Sequence, residues 1–179
     1  VALSGGLHLD GLMDVADALG SNAPLTRKWE IMKDPHVGSF GILALVFLLL
    51  WKAALLFVLL DVGASLLLLV MILGLGRLAA VALLVLAPAA RPEGMAASWQ
   101  RDLAPRDLWL AALPLLPLAM LVPGGVWLCI ALAPFLALYA WGMLRAFKGI
   151  NGDIVGTAIE GGELWLLLVA WSWWSFATA

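Results

Sequence analysis

The sequence predicts an all-α, polytopic integral membrane bundle of about five transmembrane segments, with its motif-bearing loops on the cytoplasmic face. Three observations carry that expectation. Of 179 residues, 64% are hydrophobic and only 12% charged, with mean hydropathy +1.05, where soluble domains carry about 45–50% and about 25%. The apolar runs are long and rich in Leu and Ala without strict alternation. In hydrocarbon such runs satisfy their backbone groups as helices. The polar residues gather into three stretches between the runs, consistent with one membrane-embedded domain over residues 1–179.

The first polar stretch, residues 4–37, holds Asp10, Asp14 and Asp17. In a helix these fall at i, i+4 and i+7, within about 60° of one another. Like charges on one stripe repel. A solvated acidic face is the plain reading. A hard divalent cation such as Mg²⁺, shared with substrate phosphates, is the functional one. Gly20 suits a helix C-cap. After the turn at 21–24, a short second helix is expected, with Thr26 as N-cap, carrying Arg27, Lys28, Glu30, Lys33 and Asp34 and stopping at Pro35.

The run from Gly41 to Leu60 is long enough to span despite Lys52, and a turn at 61–63 follows. Ala64 to Ala87 reads as one span or as two shorter helices broken at Gly74 and Gly76, with Arg77 in its middle. Residues 88–107 are polar. Leu108 to Val122 is short and carries Pro114 and Pro117, so a kinked or partial span is expected before the turn Pro123-Gly124-Gly125. Val126 to Leu144 spans again, and residues 145–163 form the third polar stretch. The last run, Leu164 to Phe176, is Trp-rich and short for a crossing unless the preceding helix extends it.

Two crossings separate each polar stretch from the next, so all three fall on one side. They hold eight of the ten Lys and Arg residues, the exceptions being Lys52 and Arg77. The positive-inside rule makes that side cytoplasmic. Charges within apolar runs are costly and face the bundle interior or water, although Lys52 is long enough to snorkel. The single Cys129 excludes a disulfide or thiolate metal framework, and no basic tract points to nucleic acid.

In the third stretch Asp153 and Glu160 stand at i and i+7, again on one helix face. Gly149, Gly152 and Gly156 surround Asp153 and allow backbone or phosphate to approach closely. Two facing acidic helices suit metal-assisted phosphoryl transfer on a pyrophosphate. Arg27, Lys33 and Arg91 are candidates to neutralise phosphate oxygens. His8, two residues before Asp10, is a candidate base, ligand or helix-start hydrogen bonder; His36 reads as a turn residue.

The motifs Gly5-Gly6-Leu7-His8-Leu9-Asp10-Gly11-Leu12-Met13-Asp14-Val15-Ala16-Asp17 and Glu30-Ile31-Met32-Lys33-Asp34, then Val37-Gly38-Ser39-Phe40-Gly41, Ala90-Arg91-Pro92-Glu93-Gly94-Met95 and Gly152-Asp153-Ile154-Val155-Gly156-Thr157-Ala158-Ile159-Glu160, occur in that order. Together they resemble the cobalamin synthase, or adenosylcobinamide-GDP ribazoletransferase, family over nearly the whole chain. The resemblance implies a transferase of the bacterial or archaeal cell (inner) membrane. It would join adenosylcobinamide-GDP to α-ribazole, or its 5′-phosphate, giving adenosylcobalamin or its phosphate and GMP, with Mg²⁺ required.

On that resemblance Asp10, Asp14, Asp17 and Asp153 are expected to hold metal. Asp14, Lys33, Asp153, Glu160 and His8 would serve catalysis, and Arg27, Arg91, Glu93 and Gly152 would bind substrate. Family members carry a further N-terminal segment, so a chain opening on Val1 is expected to lack one. Self-association, or association with other corrinoid enzymes, is compatible with the family but has no residue here to support it.

Two other readings compete. A CDP-alcohol phosphatidyltransferase also sets an acidic helix at a membrane surface, but its Asp-x-x-Asp-Gly-x-x-Ala-Arg run is not matched here. A non-catalytic transporter would place acids near mid-span, whereas the clustered acids here lie close to the loops.

Overall fold

The computed structural model describes residues 5–177. Its helices are α1 (Leu7–Gly20), α2 (Leu25–Ile31), α3 (Ser39–Asp61), α4 (Leu66–Leu86), α5 (Met95–Asp102), α6 (Pro105–Ala112), α7 (Leu115–Leu121), α8 (Gly125–Phe147) and α9 (Gly152–Ala177). Four of them, α3, α4, α8 and α9, are long and apolar enough to cross a membrane. A fifth crossing is available if α5 and Pro105–Leu121, bent by 86° against each other, form one broken span. The all-α membrane fold is as expected, and the proline-rich run is indeed interrupted.

Three local expectations are refined. The glycines of α4 do not break it: Gly74 leaves room for Leu115 and Gly76 for Glu163, so they serve packing. The Trp-rich run is the later part of α9, which begins at Gly152 and is long enough to cross. Pro24, rather than Thr26, stands at the start of α2, since proline lacks an N–H and is tolerated where the first helical donors are unpaired.

Helices α4 and α9 form the interior. α4 buries nine residues from Leu68 to Leu83. In α3 the buried positions are Gly41, Leu48, Leu55 and Leu59, a single stripe at helical spacing. Its other faces expose Leu49, Leu50, Trp51 and Phe57, as lipid contact requires.

The core divides in two. One cluster joins Leu55, Leu59, Leu68, Leu75, Leu128 and Leu166. The other joins Val15, Met32, Leu83, Phe147, Ile150, Ile154 and Ala158 beneath the motif-bearing end. Between them along α3, α4 and α9 lies a layer of charge. Lys52 Nζ donates to Glu160 Oε2 at 2.5 Å and to Glu163 Oε2 at 2.8 Å. Arg77 Nη1 donates to Glu163 Oε1. Lys52 is therefore paired inside the bundle, its side chain only 13% exposed, and does not snorkel.

Candidate active site

Close approach of α1 to α9 builds the site. A Cβ added at Gly11 would lie 2.8 Å from the Asp153 Cα, and one added at Gly156 would lie 3.2 Å from the His8 Cα. Glycine at both positions lets the two backbones nearly touch. That contact brings the acidic stripe of α1 against the first turn of α9 and its Asp153.

The second polar stretch is pinned to the same end. Ala89 and Ile150 form a parallel bridge, in which Ala90 N–H donates to Ile150 C=O at 2.8 Å and Ile150 N–H donates to Pro88 C=O at 2.9 Å. Any side chain at Gly149 would strike the backbone of Ala90. Gln100 Nε2 donates to the carbonyls of Leu84 and Ala87, closing the end of α4. Arg91 is thus held near Asp153, with its guanidinium 5.6 Å from the Trp29 ring centroid. Trp29 in turn meets Phe147 edge-on.

The outcome is a cavity of about 120 Å³ bordered by Trp29, Met32, Lys33, Ala90, Arg91, Asn151 and Asp153. All three polar stretches contribute to it. Asn151 caps α9, its Oδ1 accepting from Ile154 N–H, while its Nδ2 donates to Asp153 Oδ2 at 2.7 Å. A second cavity of about 250 Å³, bordered by His8, Gly152, Asp153 and several apolar side chains, shares Asp153 with the first.

Asp14 carries the main electrostatic signature. Burial, then the charges of Asp10, Asp153 and Asp17, push its carboxyl up to about 7. Carboxylates placed so that they resist ionising together are an unbalanced negative site that a cation would relieve.

Asp17 has a different task from the one its spacing suggests. Its Oδ2 accepts from Gly38 N–H at 2.7 Å and its Oδ1 from Gly41 N–H at 2.9 Å. Each oxygen accepts one N–H at the start of α3, so Asp17 ties α1 to α3, a task beyond the metal-ligand role its spacing suggests. The expected pairing of Asp153 with Glu160 is also revised. They share α9, but Glu160 is bound by Lys52, and its Oε1 stands 3.8 Å from His8 Nδ1.

Among the substrate candidates, Gly152 opens α9 beside Asp153. Arg27 pairs with Glu30 on the exposed face of α2 and borders neither of these cavities. Glu93 is exposed in the loop before α5 and likewise borders neither. His36 keeps its turn role, its N–H and Nδ1 both on Asp34 Oδ1, which holds the Asp34 carboxyl below its usual range. Sequence reasoning missed Asn151, Trp29 and Glu163. Only Asn151 left a signal, as a capping residue just ahead of a helix.

Among the described residues, no three His, Cys, Asp or Glu side chains already converge to hold a metal ion. Mg²⁺ does not require such a cage. It binds through one or two carboxylates, retains waters and takes its remaining oxygens from substrate phosphates. Asp10, Asp14 and Asp153 supply hard oxygen donors, and a cation beside them would oppose the mutual repulsion that adds to burial in raising the Asp14 carboxyl. The residues present fit the ion.

Fold and site together define a polytopic membrane protein with facing cations and carboxylates at one end, suited to a phosphorylated substrate. The sequence model of one family, cobalamin-5-phosphate synthase, matches residues 1–171. The adenosylcobinamide-GDP ribazoletransferase of Geobacillus thermodenitrificans is 39% identical over 177 residues, covering 94% of this chain and 68% of the relative. Those of Synechocystis and Stutzerimonas stutzeri are 36% and 40% identical, covering 94% and 89% of this chain and 68% and 66% of each relative. No solved structure matches. The chain belongs to the cobalamin-5-phosphate synthase family.

Proposed function

We propose that this chain is a transferase that joins adenosylcobinamide-GDP to α-ribazole, or its 5′-phosphate, and releases GMP. The family and the names of its relatives support the substrates. The observation that carries the mechanism is the meeting of Lys33, Arg91 and Asp153, from three separate stretches, around one cavity.

A ribose hydroxyl of the acceptor attacks the phosphorus next to the cobinamide. An O–P bond forms, the P–O bond to GMP breaks, and its electron pair leaves on GMP. Lys33 and Arg91 bind and orient the pyrophosphate oxygens, Arg91 being steadied by the Trp29 face. Asp10, Asp14 and Asp153 would hold Mg²⁺, which supplies charge neutralisation to the phosphates and the leaving group. His8 accepts the hydroxyl proton at Nε2, and the charge of Glu160, fixed by Lys52 and 3.8 Å from Nδ1, favours the protonated ring that results. Asn151 holds the Asp153 carboxylate in place.

The three stretches carrying eight of the ten Lys and Arg residues face the cytoplasm of a bacterial or archaeal cell, in keeping with the positive-inside rule. The test is turnover of purified protein in liposomes with both substrates, with Mg²⁺ or with chelator. GMP and a cobalamin product that both require Mg²⁺ are expected. GMP release unaffected by withholding ribazole, or product at full rate in chelator, would overturn the scheme.

A further inference from the structure

The two cavities share one lining residue, Asp153, among the described residues, and their chemistry differs. The smaller presents Lys33 and Arg91. The larger, about 250 Å³, has no Lys or Arg in its lining. It is walled by Ala80, Leu84, Trp99 and Ile159, with polar side chains from His8 and Asp153. We propose that this larger cavity is the acceptor pocket. It takes the flat apolar base of a nucleoside among the α4, α5 and α9 side chains and turns the ribose toward His8 and Asp153. The proposal rests on the transferase reading given above.

Four features favour this occupant. A pyrophosphate left without cations in an apolar pocket would lose far more hydration than it recovers, so the charged donor belongs on the Lys33 and Arg91 side. A neutral base suits walls of Ala, Leu and Ile, and the half-exposed Trp99 offers a ring face for stacking. The volume of about 250 Å³ lies just under the range of about 300–1,000 Å³ usual for small-molecule sites, which suits a ligand the size of a nucleoside base and excludes a corrin macrocycle. Finally, the shared Asp153 puts the acceptor hydroxyl and the donor phosphorus at one boundary, as an in-line displacement requires. Trp99 and Leu84 would then determine specificity for the base.

The test measures α-ribazole binding to the whole protein calorimetrically, together with the KM of each substrate. Leu84→Trp fills the pocket, and Trp99→Ala removes the stacking face at an exposed position without threatening the fold. The Kd and KM for α-ribazole should rise about 5- to 100-fold in both variants, while the KM for adenosylcobinamide-GDP changes by less than about twofold. An unchanged ribazole Kd in Trp99→Ala would overturn the proposal, as would a KM rise confined to adenosylcobinamide-GDP or a failure of the unmodified protein to bind ribazole. If the unmodified protein binds ribazole, both variants weaken it and no GMP is ever released, the transferase reading fails and the pocket stands.

Discussion

At Asp14, burial and three neighbouring carboxylates act in one direction, each favouring the protonated form. The consequence for stability has a definite sign. In metal-free protein, the folded state holds this proton more tightly than the unfolded chain does. The resulting stabilisation is present below the unfolded value of 3.8 and is lost as pH rises through about 7. Thermal unfolding of the metal-free wild type should therefore weaken across that window relative to Asp14→Asn, which has no proton to lose. A constant difference between the two across the window would contradict the assignment. Asp17 separates cleanly from Asp14 in a second measurement. Asp17→Asn should leave the Mg²⁺ concentration for half-maximal rate unchanged while lowering thermal stability, because it loosens α3 from α1. Asp14→Asn should raise that Mg²⁺ concentration at least about tenfold. Equal shifts in both variants would return Asp17 to the metal site.

Helix α9 carries more of the protein than any other element. Its first turn supplies Asp153, its middle the acids that hold Lys52 and Arg77, and its end the Trp-rich membrane segment. The ion layer also explains which parts of the site were legible in the sequence. Period and composition sufficed for the acidic stripe of α1, the single face shared by Asp153 and Glu160, and the gathering of three polar stretches at one end. Partners were not legible. Glu160 meets Lys52 across 108 positions and Asp17 meets Gly38 and Gly41 across 21 and 24; a spacing rule sees only neighbours on one helix. Gly156 reads as a point of close approach, but its spacing does not name the partner, which is the His8 backbone of α1; Gly11 allows the same contact with Asp153. Breaking the layer has a calculable cost. Lys52→Met leaves two glutamates without their ammonium in the bundle and should destabilise by about 3–5 kcal/mol, measured as a fall in Tm in detergent. Lys52→Arg should restore most of it. A Tm within a degree of wild type for Lys52→Met would show that the layer is not paired as described.

Seen whole, the molecule is two apolar clusters separated by charge, with the site resting on the cluster nearer the polar end. No single stretch is sufficient for the chemistry. α1 brings Asp10 and Asp14, the segment after α2 brings Lys33, the loop after α4 brings Arg91 and the start of α9 brings Asp153. The bridge between Ala89 and Ile150 and the α1–α9 contact hold these pieces in register. The central claim is that they form one site, and a double-mutant cycle on turnover tests it most directly. Asp14→Asn and Asp153→Asn should each slow GMP release by at least about 100-fold, and the double variant should be no slower than the slower single variant, because groups acting as one unit fail together. Losses that multiply would contradict a shared site and place the two carboxylates in separate tasks.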